Sequence, residues 1–471
     1  MVFSKAVGFF LIPIYTYCVS DADYGIATTI TSFVSTFGVV IMLSLRAAMI
    51  RFYNDYKEEE RRIFVGSITA FVTVNAIVIC TLLCIFNKLY TPWLFKELDF
   101  YPLVFLGVLS LGAEGIYLTY QSLLQAKQDG RGYSVNSIIY LLVHTFAVVV
   151  FVLWMRSGAL GIVLSNFVTN VIFAIYGIIN MRCKGLMVFA WNKQMLSKSI
   201  KYSLPILPHN LSNNMSTYAT KVIINTYIGY ALSGLYTLAA QFSTIINMVQ
   251  SSVNLAFRPW FIEQMDNGEE GRVQIKYMTG MIMSLYAFVA VMISFFCKEI
   301  VLIMAEKSYA NAWKMVPFFI ITQLISFVYY THIQTVMYNI KISKFSAVCS
   351  LSGLMVNILF SLLLVFPLNI YGVLVARLIS QVVMAGITVV MNRRSEKVDF
   401  GLSKMIITII LATVLSFAAV LVSGIHMEIN VFEILIKLAL SLVAFMLFIF
   451  PYLKDFLELF KGLIKKKKHN N

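Results

Sequence analysis

Asn247, Gln250, Asn254 and Arg258 recur at spacings of three, four and four inside an apolar stretch, so a helix carries all four on one face. Amides ending in a guanidinium suit a polar, anionic ligand. Thr28, Thr31, Ser35 and Arg46 form a comparable stripe, as do Glu114, Tyr117, Gln121 and Gln125. Arg377 and Gln381 are one turn apart, and Lys221 stands in another apolar run. Arginine presents a planar fork that grips phosphate with two parallel hydrogen bonds. Cations outnumber acids in this set, which suits an anion such as a diphosphate. Glu114 is the main embedded acid, read either as a proton or sodium site or as the counter-ion of an embedded cation, with Arg377 the partner to test. His144 and His332 read as packing histidines. No catalytic set and no metal site is expected. The six cysteines (Cys18, Cys80, Cys84, Cys183, Cys297, Cys349) are scattered, and Cys80 and Cys84 lack the companion His or Cys that a metal needs. No cofactor is implied.

The elements that hold these residues follow from composition. The 471 residues are 59% hydrophobic and 13% charged, against about 25% charged in soluble proteins. Apolar runs recur at about 20 residues, the length that crosses a bilayer. Spans are expected at 3–19, 26–50, 63–86, 102–125, 134–155, 158–180, 203–228, 233–257, 274–296, 315–340, 345–366, 369–391, 403–424 and 432–452. The chain therefore reads as an all-α integral membrane protein with about fourteen transmembrane helices. Met1 to Val19 lacks a small-residue cleavage site and leads straight into a second span, so it reads as a span rather than a signal peptide.

The net charge of +15 sits in short loops, which argues against nucleic acid as a partner. Loops after the even-numbered spans hold Arg51, Lys57, Arg61 and Arg62; Lys127 and Arg131; Arg182, Lys184, Lys193, Lys198 and Lys201; Arg258, Arg272 and Lys276; Lys341 and Lys344; and Arg393, Arg394, Lys397 and Lys404. Odd-numbered loops hold only Lys88, Lys96, Arg156, Lys298, Lys307 and Lys314. Positive residues collect on the cytoplasmic side, so both termini are expected inside. By the same rule Arg46, Arg51 and Arg258 lie near inner span ends, where reaching for the interface competes with ligand binding. For the amides and hydroxyls the competing role is hydrogen bonding between helices. The tail from Tyr452 alternates apolar residues with Lys454, Glu458 and Lys461, followed by Lys465 to Lys468, a pattern that reads either as a helix lying on an anionic lipid surface or as a solvated basic tail. No loop is long enough to form a domain, which excludes catalysis by a soluble appended domain.

The two halves repeat in parallel. Ala22, Gly25, Thr28, Phe33 and Phe52 match Ala231, Gly234, Thr237, Phe242 and Phe261, and Tyr117, Thr119, Ser134, Gly161 and Asn180 match Tyr329, Thr331, Ser346, Gly372 and Asn392. Two six-helix lobes are expected, 1–200 and 201–400, followed by 401–471 with spans 13 and 14 and the basic tail. Parallel repeats are a known transporter plan, with substrate held between lobes. At matching positions, Arg377 and Gln381 of span 12 replace Asn166 and Asn170 of span 6.

Four segments resemble O-antigen and polysaccharide flippases of the Wzx type: FFLIPIYTYCVSDADYGIATTITSF through Asp23-Tyr24-Gly25, RFYNDYKEEERR after span 2, SLPILPHNLS opening span 7 and EKSYANAWKMVP before span 10. These proteins belong to the multidrug/oligosaccharidyl-lipid/polysaccharide exporter superfamily. The resemblance implies a multi-pass protein of the bacterial inner membrane that moves undecaprenyl-diphosphate-linked oligosaccharide repeat units to the periplasmic leaflet. It also implies a cationic central cavity and coupling to a proton or sodium gradient. Membrane lipids and other polysaccharide assembly proteins are the implied partners. This sequence departs from the pattern at Ala219-Thr220-Lys221, where many relatives carry an Asp-Arg pair; the cation is kept and its acid lost. It also begins inside what is usually a longer first span. A drug/cation antiporter of the same superfamily would want acids in the first lobe, where Glu114 stands alone. A membrane-embedded glycan polymerase or ligase would need a large periplasmic loop.

Overall fold

The computed structural model describes residue 9 and residues 11–339, 345–426 and 428–455. The start of the first expected span, Lys341, Lys344 and the basic tail from residue 456 lie outside the described residues. Within them the chain is all-α and forms no strand.

The first helices show how local sequence sets the breaks. Helix α1 (Ile12–Cys18) carries Pro13 in its first turn, where a missing N–H costs nothing. Helix α2 (Asp21–Met42) is capped by Ser20, whose hydroxyl accepts from the Asp23 N–H at 3.1 Å. Leu43 and Ser44 then take left-handed φ of 44° and 57°, a conformation that ends a right-handed helix. Helix α3 (Leu45–Phe52) follows. The span expected at 26–50 is therefore two helices, and Arg46 does not share a continuous stripe with Thr28, Thr31 and Ser35.

Helices α4 (Glu58–Ile85), α5 (Asn87–Leu94), α6 (Phe105–Ala126), α7 (Gly130–Val148), α8 (Gly158–Cys183), α9 (Lys193–Ser203) and α10 (Leu207–Tyr227) come next. Then follow α11 (Tyr230–Asp266), α12 (Gly268–Met304), α13 (Val316–Tyr338), α14 (Ser346–Leu368), α15 (Ile370–Arg394), α16 (Leu402–Ser423) and α17 (Val431–Phe448). Eleven of the described helical segments are long and apolar enough to cross a membrane. The other three expected spans fall on α1, α10 and α11. Many large apolar side chains face outward, among them Trp93, Leu142, Met355, Leu421 and Val431, as a surface solvated by lipid requires.

The chain forms two compact units, Met1–Leu238 with Lys344–Ser380, and Ala239–Ser343 with Gln381–Asn471. In the first, α6 packs on α2, α4 and α8, and α10 packs on α2 and α14. In the second, α12 is central, packing on α13, α16 and α17.

The sequence repeat becomes a physical contact inside the first unit. A Cβ on Gly25 would lie 2.0 Å from the Tyr230 carbonyl oxygen, and one on Gly234 would lie 2.1 Å from that of Asp21. One turn on, the hydroxyls of Thr28 and Thr237 meet at 3.2 Å. Each residue therefore meets the repeat mate of its partner's contact, the self-complementary pattern of a two-fold axis. Only glycine permits so close a backbone approach.

Candidate functional site

Helix α10 is the most polar of the expected spans, and its hydrogen bonds divide between two neighbours. Toward α14, His209 Nδ1 lies 2.5 Å from Ser350 Oγ, and Asn357 Nδ2 donates to Ser216 Oγ at 3.0 Å and Thr220 Oγ1 at 2.8 Å. Toward α2, Asn225 Nδ2 donates to Thr29 Oγ1 at 3.0 Å. Lys221 sits between these bonds, 5% exposed, its Nζ donating to the Thr28 carbonyl at 2.9 Å. An ammonium has three donors; among the described residues Lys221 uses one, and no carboxylate pairs with it. One turn to either side, Tyr218 Oη and Asn225 Oδ1 are buried without a hydrogen-bond partner among the described residues, as is Asn357 Oδ1. Buried polar atoms of this kind ordinarily engage water or a ligand.

Arg377, half-buried on α15, belongs to the same unit. Its Nη1 donates to Tyr236 Oη at 3.4 Å, and Tyr236 precedes Thr237 of the Thr28–Thr237 pair. Lys221 and Arg377 are thus both attached to the segment where the repeat folds onto itself. Arg46 is not: its Nη2 donates to Gln125 Oε1 at 3.2 Å, joining α3 to α6.

Glu114 occupies a separate chamber of about 70 Å³, walled by Thr31, Ser35, Ser110, Tyr140, Asn166 and Asn170. Tyr140 Oη donates to Asn170 Oδ1 at 2.9 Å, and Asn170 Nδ2 donates to Ser110 Oγ at 2.9 Å. This chain orients polar walls around the carboxylate. Among the described residues no cation pairs with Glu114, and Arg377 does not line the chamber. A space of this size holds one or two waters at about 30 Å³ each, or a small ion.

The span-8 stripe lies in the second unit on α11. Gln250 is 3% exposed and accepts from Tyr286 Oη at 2.9 Å, a bond between neighbouring helices. Asn247 and Asn254 are half-buried, and Arg258 is exposed. Gln381 is half-buried, in the part of α15 that belongs to this unit.

Sequence reasoning missed a group of buried charges in the second unit. Helix α12 runs on to Met304, so Lys298, expected in an external loop, is 1% exposed within a helix. Its Nζ meets Glu433 Oε2 at 2.6 Å, and Lys437 Nζ meets Glu299 Oε1 at 2.5 Å. The His426 backbone N–H also donates to Glu433 Oε1 at 3.0 Å. Glu433 and Lys437, one turn apart in an apolar run, were the available signal.

Together these features define an all-α membrane-protein fold with polar groups built into its spans. A structure of the lipid II flippase MurJ, in an inward closed conformation, is similar to this chain with a TM-score of 0.72 and 13% identity, covering 97% of this chain and 98% of that one. An inward-facing multidrug resistance MATE family transporter of the MOP superfamily gives 0.59 and 11%, covering 83% and 94%. A MOP superfamily transporter from Pyrococcus furiosus, described as having a binding pocket of reverse polarity, gives 0.54 and 12%, covering 83% and 92%. At these identities the likeness is one of fold. A family model, polysaccharide biosynthesis protein, matches residues 1–265, more than half of the chain. The chain belongs to that family, on the fold shared by MOP superfamily transporters. No curated protein matches it in sequence.

Proposed function

We propose that the protein moves undecaprenyl-diphosphate-linked oligosaccharide repeat units from the cytoplasmic to the periplasmic leaflet of a bacterial inner membrane. The supporting observation is Lys221, a buried ammonium without a carboxylate partner among the described residues, flanked by buried polar atoms without partners. A charge in the bilayer costs about 2.5–3.5 kcal/mol on insertion scales, and an anionic cargo would repay that cost during each cycle. Arg377 adds a fork for the diphosphate or for an acidic sugar. Both termini are cytoplasmic in this reading, which puts the Gly25–Gly234 contact at the periplasmic end. Substrate release then requires this contact to part, by rocking of lobe 1–200 against lobe 201–400. Glu114, in its chamber beside Thr31 and Ser35, is the proposed site for a coupling proton or sodium ion.

Complementation tests the cargo. In cells whose own flippase is deleted, the chain should restore surface glycan, and Lys221→Met should abolish it at unchanged protein level. Failure of the wild-type chain to restore surface display of any lipid-linked glycan would remove the proposal. Cysteines at positions 267 and 307 test the orientation, with only the second expected to react with a periplasmic reagent. The Glu114 chamber gives a drug/cation antiporter a foothold as a second reading. In that case Glu114→Gln would abolish drug resistance while Lys221→Met spared it.

A further inference from the structure

The second unit contains a cleft of about 410 Å³, lined by His332, Asn392, Arg393, Lys397, Asp399 and Leu402. That volume lies within the range of small-molecule sites, about 300–1,000 Å³. Its charges are unbalanced in a specific way. The one lining acid, Asp399, is already engaged: Lys276 Nζ lies 2.6 Å from its Oδ2, and the Gly401 N–H donates to its Oδ1 at 2.8 Å. The Lys276 hydrogen bond chiefly holds this carboxyl below the usual carboxylate range. Arg393 and Lys397 have no salt bridge and no side-chain hydrogen bond among the described residues, so two cations remain for a ligand.

Asn392 fixes the loop that carries them. Its Nδ2 donates to the Val398 carbonyl at 2.7 Å, its Oδ1 accepts from the Val398 N–H at 3.2 Å, and its carbonyl accepts from the Lys397 N–H at 2.9 Å. These bonds hold Lys397 in a left-handed conformation, φ 54°, unusual for a side chain of its length. His332 is 2% exposed and donates from Nδ1 to the Val328 carbonyl at 2.8 Å. Nε2 is the ring nitrogen left for a ligand. Helix α16 begins at Leu402 on the cleft wall, with no side-chain cap and no acid in its first turn, so its first N–H groups favour an anion. The repeat mate of Asn392 builds nothing similar. Asn180 spends its Nδ2 on Tyr176 Oη at 2.9 Å, and Arg182 lies 4.2 Å over the Phe189 ring.

We propose that this cleft is a binding site for a phosphate group, gripped by the Arg393 fork and the Lys397 ammonium, with His332 Nε2 accepting from a hydroxyl of the ligand. The phosphate belongs either to an anionic phospholipid headgroup or to a soluble phosphate. The site is independent of the proposed cargo path and stands or falls separately from the flippase reading.

The test uses the full chain in neutral detergent, titrated with phosphatidylglycerol, phosphatidylcholine or inorganic phosphate and read by native mass spectrometry. Arg393→Gln with Lys397→Gln should weaken the tightest site by at least about tenfold, the loss expected for a charge-assisted contact. Lys397→Gln alone, which breaks no contact made by the described residues, should do so in part. Lys127→Gln with Arg131→Gln removes the same charge elsewhere and should change nothing. Tight binding of phosphatidylglycerol alone assigns the site to lipid, and competition by inorganic phosphate assigns it to a soluble anion. Phosphatidylglycerol and phosphate both binding no better than phosphatidylcholine would overturn the proposal. So would equal binding by wild type and the double variant, or equal loss in the control.

Discussion

The two units treat buried charge in opposite ways. In the second, Lys298 with Glu433 and Lys437 with Glu299 are nearly closed to solvent, at 2.6 and 2.5 Å. In the first, Lys221 rests on a carbonyl and Glu114 faces hydroxyls and amides, with no ion pair for either among the described residues. A buried pair with good geometry offsets its own desolvation and fixes two helices together. A buried charge held only by neutral groups carries a cost that its neighbours do not return. The difference separates charges that hold the fold from charges left available to the transport cycle proposed above.

The largest effect should come from splitting a pair. Removing one partner of a buried ion pair costs about 3–5 kcal/mol, so Glu433→Gln should lower the melting temperature in detergent and the amount of protein in the membrane. Lys298→Met combined with Glu433→Met should recover most of the loss. If the double change were as damaging as the single one, the pair would not be the structural unit described.

Next comes Arg377, where the proposed role puts the effect on transport. Arg377→Ala should abolish glycan export at normal abundance, and Arg377→Lys should restore it in part, because a point charge replaces a fork. If Arg377 and Glu114 instead stabilise each other, Arg377→Ala would lower abundance and adding Glu114→Ala would restore it.

The glycine contact should respond more mildly. In Gly25→Ala the new methyl must push the Tyr230 carbonyl away from 2.0 Å, biasing the protein against this arrangement of α2 and α11. Spin labels near the starts of these helices should report a longer distance in the variant, and an unchanged distance would contradict the gating role proposed for the contact.

The smallest effect concerns Asp399. Its carboxyl titrates below the usual range, chiefly through Lys276, so the contact's stabilising contribution is complete above the usual carboxylate value and declines as pH falls through the lowered one. Both side chains are more than a third exposed, so screening keeps the contribution small. Lys276→Gln should raise the Asp399 titration seen by carboxylate NMR, and no change would remove the assigned cause.

Much of this was legible in the residues. Apolar run length marked the spans, and the 209-residue offset anticipated that Gly25 and Gly234, and Thr28 and Thr237, are structural equivalents. Lys221 and Arg377 stood out because an apolar run offers a cation no cheap environment. Helix continuity was less legible. Lys298 read as the end of a span because its partner lies on another helix, and α12 crosses that charge unbroken once Glu433 neutralises it. The break at Leu43–Ser44 left no Gly or Pro to mark it. Contact between repeat mates was also invisible, since an offset shows equivalence and not touch.

The central claim is tested most directly in proteoliposomes containing the purified chain and undecaprenyl-diphosphate-linked oligosaccharide labelled on its sugar with a fluorophore. An impermeant quencher reports how much label lies in the outer leaflet over time. The account predicts that wild type brings inner-leaflet label into reach much faster than protein-free vesicles, and that Lys221→Met and Arg377→Ala, reconstituted in equal amount, do not. Wild-type vesicles that exchange label no faster than empty ones, or variants as fast as wild type, would contradict it.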